Sequence, residues 1–189
     1  MRLLLASASP RRAELLSAAG FTFDIAPADV DETPRPDESP RDYALRVARE
    51  KTEAVAATCR NSGTVVLSAD TVVVAEGQML GKPADAREAE IMLKTLSGRV
   101  HDVHTAVVVC TGGREVHEVV TTRVRLLPLS DDEIAWYIAS GESEGKAGAY
   151  AIQDRAARFI DWIEGSWSNV VGLPLATVYR LLREVGDRN

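Results

Sequence analysis

Cysteine is scarce: the 189 residues carry only Cys59 and Cys110. Two widely spaced thiols build no disulfide framework and match no common zinc spacing. They are read as small buried hydrophobes, and a reducing compartment, the cytoplasm, is expected. Histidine is nearly as rare, with three in the chain. His101 and His104 are three apart, a spacing that suits zinc only on a helix. The β-propensity and alternation around them support no helix, so surface or hydrogen-bonding roles are expected, and His117 falls in a predicted strand. No apolar run approaches membrane-spanning length. The Leu-Leu-Leu of the opening MRLLLASASP is too short for the apolar core of a signal peptide. A Walker-type phosphate loop, a nucleophile elbow and a dinucleotide fingerprint are all missing. So are internal repeats and low-complexity tracts.

What is present is an ordinary apolar fraction of 46%, enough for a real core, and a formal net charge of −6. An acidic average argues against a general nucleic-acid coat or a membrane-surface binder. It leaves room for a small anionic ligand at a local cluster of Arg and Lys. The length suits one domain, residues 1–189, with two lobes. Predicted strands are 2–6, 21–26, 64–74 (interrupted at Ser68-Ala69-Asp70), 105–110, 116–127 and two short ones within 150–164. Predicted helices start at Ser9-Pro10, Ser39-Pro40, Asp85, Ser130 and Pro174, with Ser or Asp as N-caps and Pro at N1 in several. Pro27 to Pro40 reads as an acidic, proline-rich loop. Hairpin signals mixed with crossover helices indicate an α/β fold with a mixed, twisted sheet flanked by helices.

Three places break local rules, as functional sites often do. Arg11 and Arg12 occupy the first turn of a helix, where positive charge is disfavoured. They are either two solvated arginines or, with Ser7, Ser9 and the amides of the helix end, a phosphate site. Lys51 shares a helix face with Tyr43 and Val47, so it either snorkels to the rim or turns its ammonium into a cleft. Asp70 sits within a β-branched run, and burying its carboxylate requires a metal ion, a lysine partner or a strand break. Lys82, in Gly81-Lys82-Pro83, lies within one hairpin of it.

Taken as an ordered set, Ser7-Ala8-Ser9-Pro10-Arg11-Arg12, Val30-Asp31-Glu32, Ala69-Asp70-Thr71-Val72-Val73, Gly81-Lys82-Pro83, Ser97-Gly98 with His101, Lys146 through Gln153 and Gly165 through Pro174 resemble the Maf family over nearly the whole chain. The resemblance implies a two-lobed α/β fold related to inosine triphosphate pyrophosphatases, with a cleft. It also implies hydrolysis of a nucleoside triphosphate to the monophosphate and pyrophosphate. In the family pattern the position matching Asp70 accepts a proton, and those matching Arg12, Thr71 and Gln153 bear on substrate choice. Ser-Pro-Arg-Arg, Asp-Thr and Ile-Gln together are similar to the branch acting on dTTP and UTP, not to the 7-methyl-GTP branch. Ala149 and Ala151 stand where glycines are frequent, and Trp167 replaces a frequent tyrosine.

From this follows an expected division of labour. Arg11 and Arg12, with Ser7 or Ser9, hold the triphosphate, and Lys51 and Lys82 neutralise developing charge. Glu32 and Asp70 share Mg²⁺ or Mn²⁺, and Gln153 is suited to a pyrimidine edge. The family also makes a homodimer the expected assembly. The competing readings are a nucleotide- or nucleic-acid-binding regulator of septum formation without turnover, and a metal-dependent phosphatase acting on another metabolite.

Overall fold

In the computed structural model, which describes residues 2–59 and 63–186, the long inner strands are placed by apolar, β-branched runs and three of the helices by side-chain caps at Ser39, Asp85 and Ser130. The strands are β1 (Arg2–Leu5), β2 (Asp24–Ile25), β3 (Thr64–Ala75), β4 (Gln78–Leu80), β5 (Val100–Thr111), β6 (Arg114–Leu126) and β7 (Ile160–Glu164). The helices are α1 (Pro10–Ala18), α2 (Pro40–Ala56), α3 (Ala86–Leu96), α4 (Asp131–Ala139), α5 (Trp167–Val171) and α6 (Leu175–Gly186). The strands form a seven-stranded sheet in the order β2-β1-β3-β5-β6-β7, with β4 paired to β3. It is mixed: β1 runs parallel to β2 and β3, while β4 and β7 are antiparallel to their neighbours. None of the described helices is long and apolar enough to cross a membrane.

The chain divides into two compact units. The first comprises 1–70, 105–120 and 172–189, and the second 71–104 and 121–171. In the first, Leu4 and Ala6 from the β1 end, Val55 from α2 and Val66 from β3 form a buried cluster, joined by Ala26, Ala28 and Cys59. In the second, Ala89, Met92, Leu93 and Leu96 make the buried stripe of α3 at helical spacing. Helix α3 packs against α4 and against a 3-10 turn at Ala147–Ala149. The Tyr137 ring meets Phe159 edge-on at 6.0 Å, and its hydroxyl accepts a hydrogen bond from the Ala151 amide (3.2 Å).

Several expectations need correction. β3 is not interrupted: Ser68, Ala69 and Asp70 lie in continuous strand, because the polar side chains find partners on α2. β5 begins at Val100, so His101 and His104 are strand residues. The span 150–164 holds one strand, β7, preceded by 3-10 turns, and β2 is only two residues long. Short α5 was unforeseen. Ser130 and Glu133 form a complete capping box on α4, whereas on α3 Asp85 caps Glu88 N and the Glu88 carboxylate turns back to the Ala84 amide instead. Ser9 is the N-cap residue of α1, but its side chain makes no capping bond. Both cysteines are free and half-buried, not fully enclosed.

Candidate active site

The site of the first unit is built from the C-terminal turn of β1, the start of α1, the 27–39 loop, α2 and the middle of β3. Ser68 and Asp70 are two apart in β3 and therefore share a face, which is turned to α2. Ser68 Oγ donates to the Ala48 carbonyl (2.6 Å) and meets Thr52 Oγ1 at 2.6 Å. Two residues on, Asp70 Oδ1 accepts a hydrogen bond from Lys51 Nζ at 2.8 Å. A strand register and a helix register are thus locked by paired polar contacts that bring Lys51 to Asp70.

Lys51 stands between two carboxylates. Its Nζ lies 2.6 Å from Glu32 Oε1 and 2.8 Å from Asp70 Oδ1. Lys51 and Asp70 are each 7% exposed, so the ammonium is not snorkelling but buried in an ion-paired triad. Burial pushes the Asp70 carboxyl above its ordinary range, against the opposing pull of Lys51 and Arg12. Glu32 reaches the triad from a loop without regular structure, and its carbonyl accepts a hydrogen bond from the Tyr43 hydroxyl at 2.9 Å. Burial first, then the nearby negative charges of Asp70 and Glu32, raise that phenol to about 12, so it remains a donor.

Arg12 is buried rather than solvated. Its Nε donates to the Gly172 carbonyl (2.8 Å) and its Nη1 to Ser7 Oγ (3.1 Å). Burial lowers the guanidinium's pKa, and the Asp70 charge works against that shift. Ser7 Oγ also accepts from the Ser9 amide at 3.2 Å; toward a bound anion Ser7 would act through its hydroxyl proton. Arg11 is half-buried on the same first turn. With no side-chain cap from Ser9 and no acidic residue in the first turn, the amides of this helix end retain the partial positive charge that anions favour.

Of the predicted site residues, the structure gathers Ser7, Arg12, Glu32, Lys51 and Asp70, with Ser9 and Arg11 on the same turn. Thr71, Lys82 and Gln153 belong to the second unit. There Thr71 is a half-buried β3 residue and Lys82 is exposed just beyond β4. The Gly148 amide donates to the Gly81 carbonyl (3.0 Å), which ties the turn before Lys82 to the segment leading to Gln153. A Cβ on Gly148, whose φ is +70°, would come within 3.0 Å of Val73. Gln153 is half-buried and extended, immediately before the 3-10 turn Asp154–Phe159. His101 and His104 hydrogen-bond to Tyr150 (2.7 Å) and Thr121 (2.8 Å), in keeping with hydrogen-bonding roles.

Among the described residues no group of three or more His, Cys, Asp and Glu could hold a metal. Mg²⁺ and Mn²⁺ take hard oxygen ligands, and Mg²⁺ commonly uses one or two carboxylates completed by substrate phosphates and water. Glu32 and Asp70 supply two carboxylates of that kind, brought to one point by their shared contact with Lys51 Nζ. Sequence reasoning missed the Gly172 carbonyl and the Ser68–Thr52 pair. The signal for the first was the Gly172-Leu173-Pro174 turn, and for the second a serine within a run of buried strand residues.

A family model described as Maf-like protein matches residues 2–185. A dTTP/UTP pyrophosphatase of Anaeromyxobacter dehalogenans (strain 2CP-C) is 52% identical over 189 residues, covering 98% of this chain and 94% of that protein. One of Koribacter versatilis (strain Ellin345) is 50% identical over 186 residues, covering 98% and 95%. Among solved structures, the Staphylococcus aureus Ham1 protein aligns with a TM-score of 0.48 and 13% identity, over 67% of this chain and 72% of that one.

Proposed function

The chain belongs to the Maf family, and from that premise we propose that it hydrolyses dTTP and UTP to the monophosphate and pyrophosphate, the activity named for its relatives. It is thus a hydrolase of nucleotide anhydrides, working on free nucleotides in the cytoplasm as one functional domain. The observation that carries the reading is the buried Lys51–Asp70 pair, joined by the partly exposed Glu32, beside the buried Arg12. Charged groups are rarely buried unless they are paired, and a site that concentrates both signs suits a highly charged substrate.

In the reaction a water oxygen bonds to the α-phosphorus and the bond from that phosphorus to the bridging oxygen of the β-phosphate breaks, so pyrophosphate leaves. Catalysis is then largely positioning and electrostatics. Arg11, Arg12, the amides at the start of α1 and the Ser7 and Ser9 hydroxyls hold phosphate oxygens. Arg12 can do so with fixed geometry because its Nε and Nη1 are held by the Gly172 carbonyl and Ser7 Oγ. Asp70 takes the proton of the attacking water. An ordinary Asp, with a pKa of about 3.9, is a weak base near neutrality, and the raised affinity of Asp70 for a proton is the change the task requires. Lys51 and Lys82 offset charge on the phosphate oxygens.

Mg²⁺ or Mn²⁺ held by Glu32 and Asp70 would supply positive charge to the phosphates and acidify the attacking water. Gln153 offers both a donor and an acceptor to the edge of uracil or thymine, with Thr71 shaping the same choice. The resemblance to the family also supports a homodimer, which light scattering tests.

The test is a panel of dTTP, UTP, CTP, GTP and 7-methyl-GTP with Mg²⁺ or Mn²⁺, separating pyrophosphate from orthophosphate. Pyrophosphate from dTTP and UTP is expected. Pyrophosphate mainly from 7-methyl-GTP would overturn the pyrimidine assignment, and orthophosphate alone would overturn the reaction.

A further inference from the structure

Glu32 lies in a stretch with no helix or strand between β2 and α2, yet its carboxylate must be held to a fraction of an ångström to share an ion with Asp70. The structure supplies a clamp. Arg46 on α2 donates through Nη2 to the Thr33 carbonyl (3.1 Å) and, at the longer distance of 3.5 Å, through Nη1 to the Asp31 carbonyl. The carbonyl between them, that of Glu32, is taken by Tyr43. Three consecutive backbone acceptors are therefore fixed by two side chains one turn apart on the helix that also carries Lys51.

Arg46 is itself fixed. Its fork grips Glu38 in a two-point pair, Nε to Oε1 at 2.6 Å and Nη2 to Oε2 at 2.9 Å. It also reaches Glu50 one turn along α2 at 3.2 Å, and lies over the Tyr43 ring at 5.5 Å. The Glu38 side chain in turn accepts the Arg35 amide (3.1 Å), closing the loop upon itself. Hydrogen bonding to Arg46 holds the Glu38 carboxyl below its usual range. A two-point planar grip with further donors to spare is within reach of arginine and not of lysine.

We infer that Arg46 is the positioning residue of the Glu32 carboxylate: it touches neither substrate nor ion, and acts by pinning the 31–33 backbone so that Glu32 meets Lys51 and Asp70. The inference rests on the proposed metal role of Glu32. Residues that orient a metal's ligands typically matter about 10- to 100-fold in affinity.

The experiment compares wild type, Arg46→Met, Arg46→Lys and Glu32→Gln, and the double variant Arg46→Met/Glu32→Gln. Mn²⁺ binding is read by electron paramagnetic resonance with a non-hydrolysable UTP analogue present, and amide hydrogen exchange is followed by mass spectrometry. Arg46→Met is expected to weaken Mn²⁺ binding about tenfold, and to speed exchange in 28–38 while the rest of the chain keeps its protection. Arg46→Lys, which keeps the charge and should fold, is expected to show the same loss in weaker form. In the Glu32→Gln background Arg46→Met should add nothing. A full additional loss in that background, or exchange that rises throughout the chain, overturns the inference. Unchanged Mn²⁺ binding in Glu32→Gln itself would instead remove the metal assignment of Glu32, and exchange in 28–38 would then still decide whether Arg46 is the clamp.

Discussion

Arg12 donates through Nε to the carbonyl of Gly172, 2.8 Å away and 160 residues further along the chain. Gly172 presents that carbonyl with φ of +122°, a conformation L side chains rarely adopt. Gly172→Ala would strain the turn by about 1–3 kcal/mol and turn the carbonyl away from the guanidinium. The expected outcome is a lower melting temperature and a raised KM for UTP, with the protein still folded at 25 °C. Steady-state kinetics together with thermal unfolding check it, and an unchanged KM would show that Arg12 needs no such support.

In the proposed reaction, stability and chemistry oppose each other at Asp70. Its folded pKa is raised by burial from the ordinary 3.8, so the folded state holds the proton more tightly than the unfolded one. Stability therefore falls as pH rises from near 3.8 through the folded pKa, and above that pKa the ionised group is a net cost. Asp70→Asn removes that cost, while Lys51 keeps Glu32 as its partner. The variant is expected to lose about 10²–10⁴ of turnover, the usual range for a general base, yet to melt no lower than wild type at pH 8. The gap in melting temperature should close as the pH is lowered through the folded pKa. Near-normal activity would remove Asp70 from the mechanism.

His101 gives the opposite sign. It is buried against Tyr150, and burial depresses it from 6.5 to about 4. The folded state favours the neutral ring, so this contribution is fully present above pH 6.5 and is lost as the pH falls to about 4. A shift of that size corresponds to about 3 kcal/mol. Urea unfolding between pH 7 and pH 4 measures it, and His101→Gln is expected to flatten the curve in that window.

Gln153→Ala should act on choice rather than on rate. With the amide gone, the ratio of kcat/KM for UTP over CTP is expected to fall by about tenfold, the worth of one well-made hydrogen bond. Competition assays with both nucleotides read that ratio, and no change in it would take Gln153 off the base.

The elements were legible where composition and capping agreed. Ser39-Pro40, Asp85 and Ser130 announced their helices, and the Val-rich runs announced β3, β5 and β6. Asp70 was conspicuous because a carboxylate contradicts its strand, but the same contradiction suggested a break that does not exist. The compensation comes from α2, and long-range pairing leaves no local trace. Lys51 was ambiguous for the same reason: helical spacing gives its face, not what lies opposite. Arg46 was overlooked, since an arginine with a glutamate one turn on reads as ordinary solvated helix surface. Gly172 carries no local mark beyond the proline two residues on, although its carbonyl is what anchors Arg12.

The Lys51 ammonium between Glu32 and Asp70 has a consequence for the life of the protein outside its reaction. Clustered carboxylates without a cation repel one another, and many metal sites fold only when the ion arrives. Here the repulsion is already relieved by a covalently attached charge. The fold of this corner of the molecule is therefore expected to survive a chelator, with a melting temperature that is the same whether or not divalent cations are present.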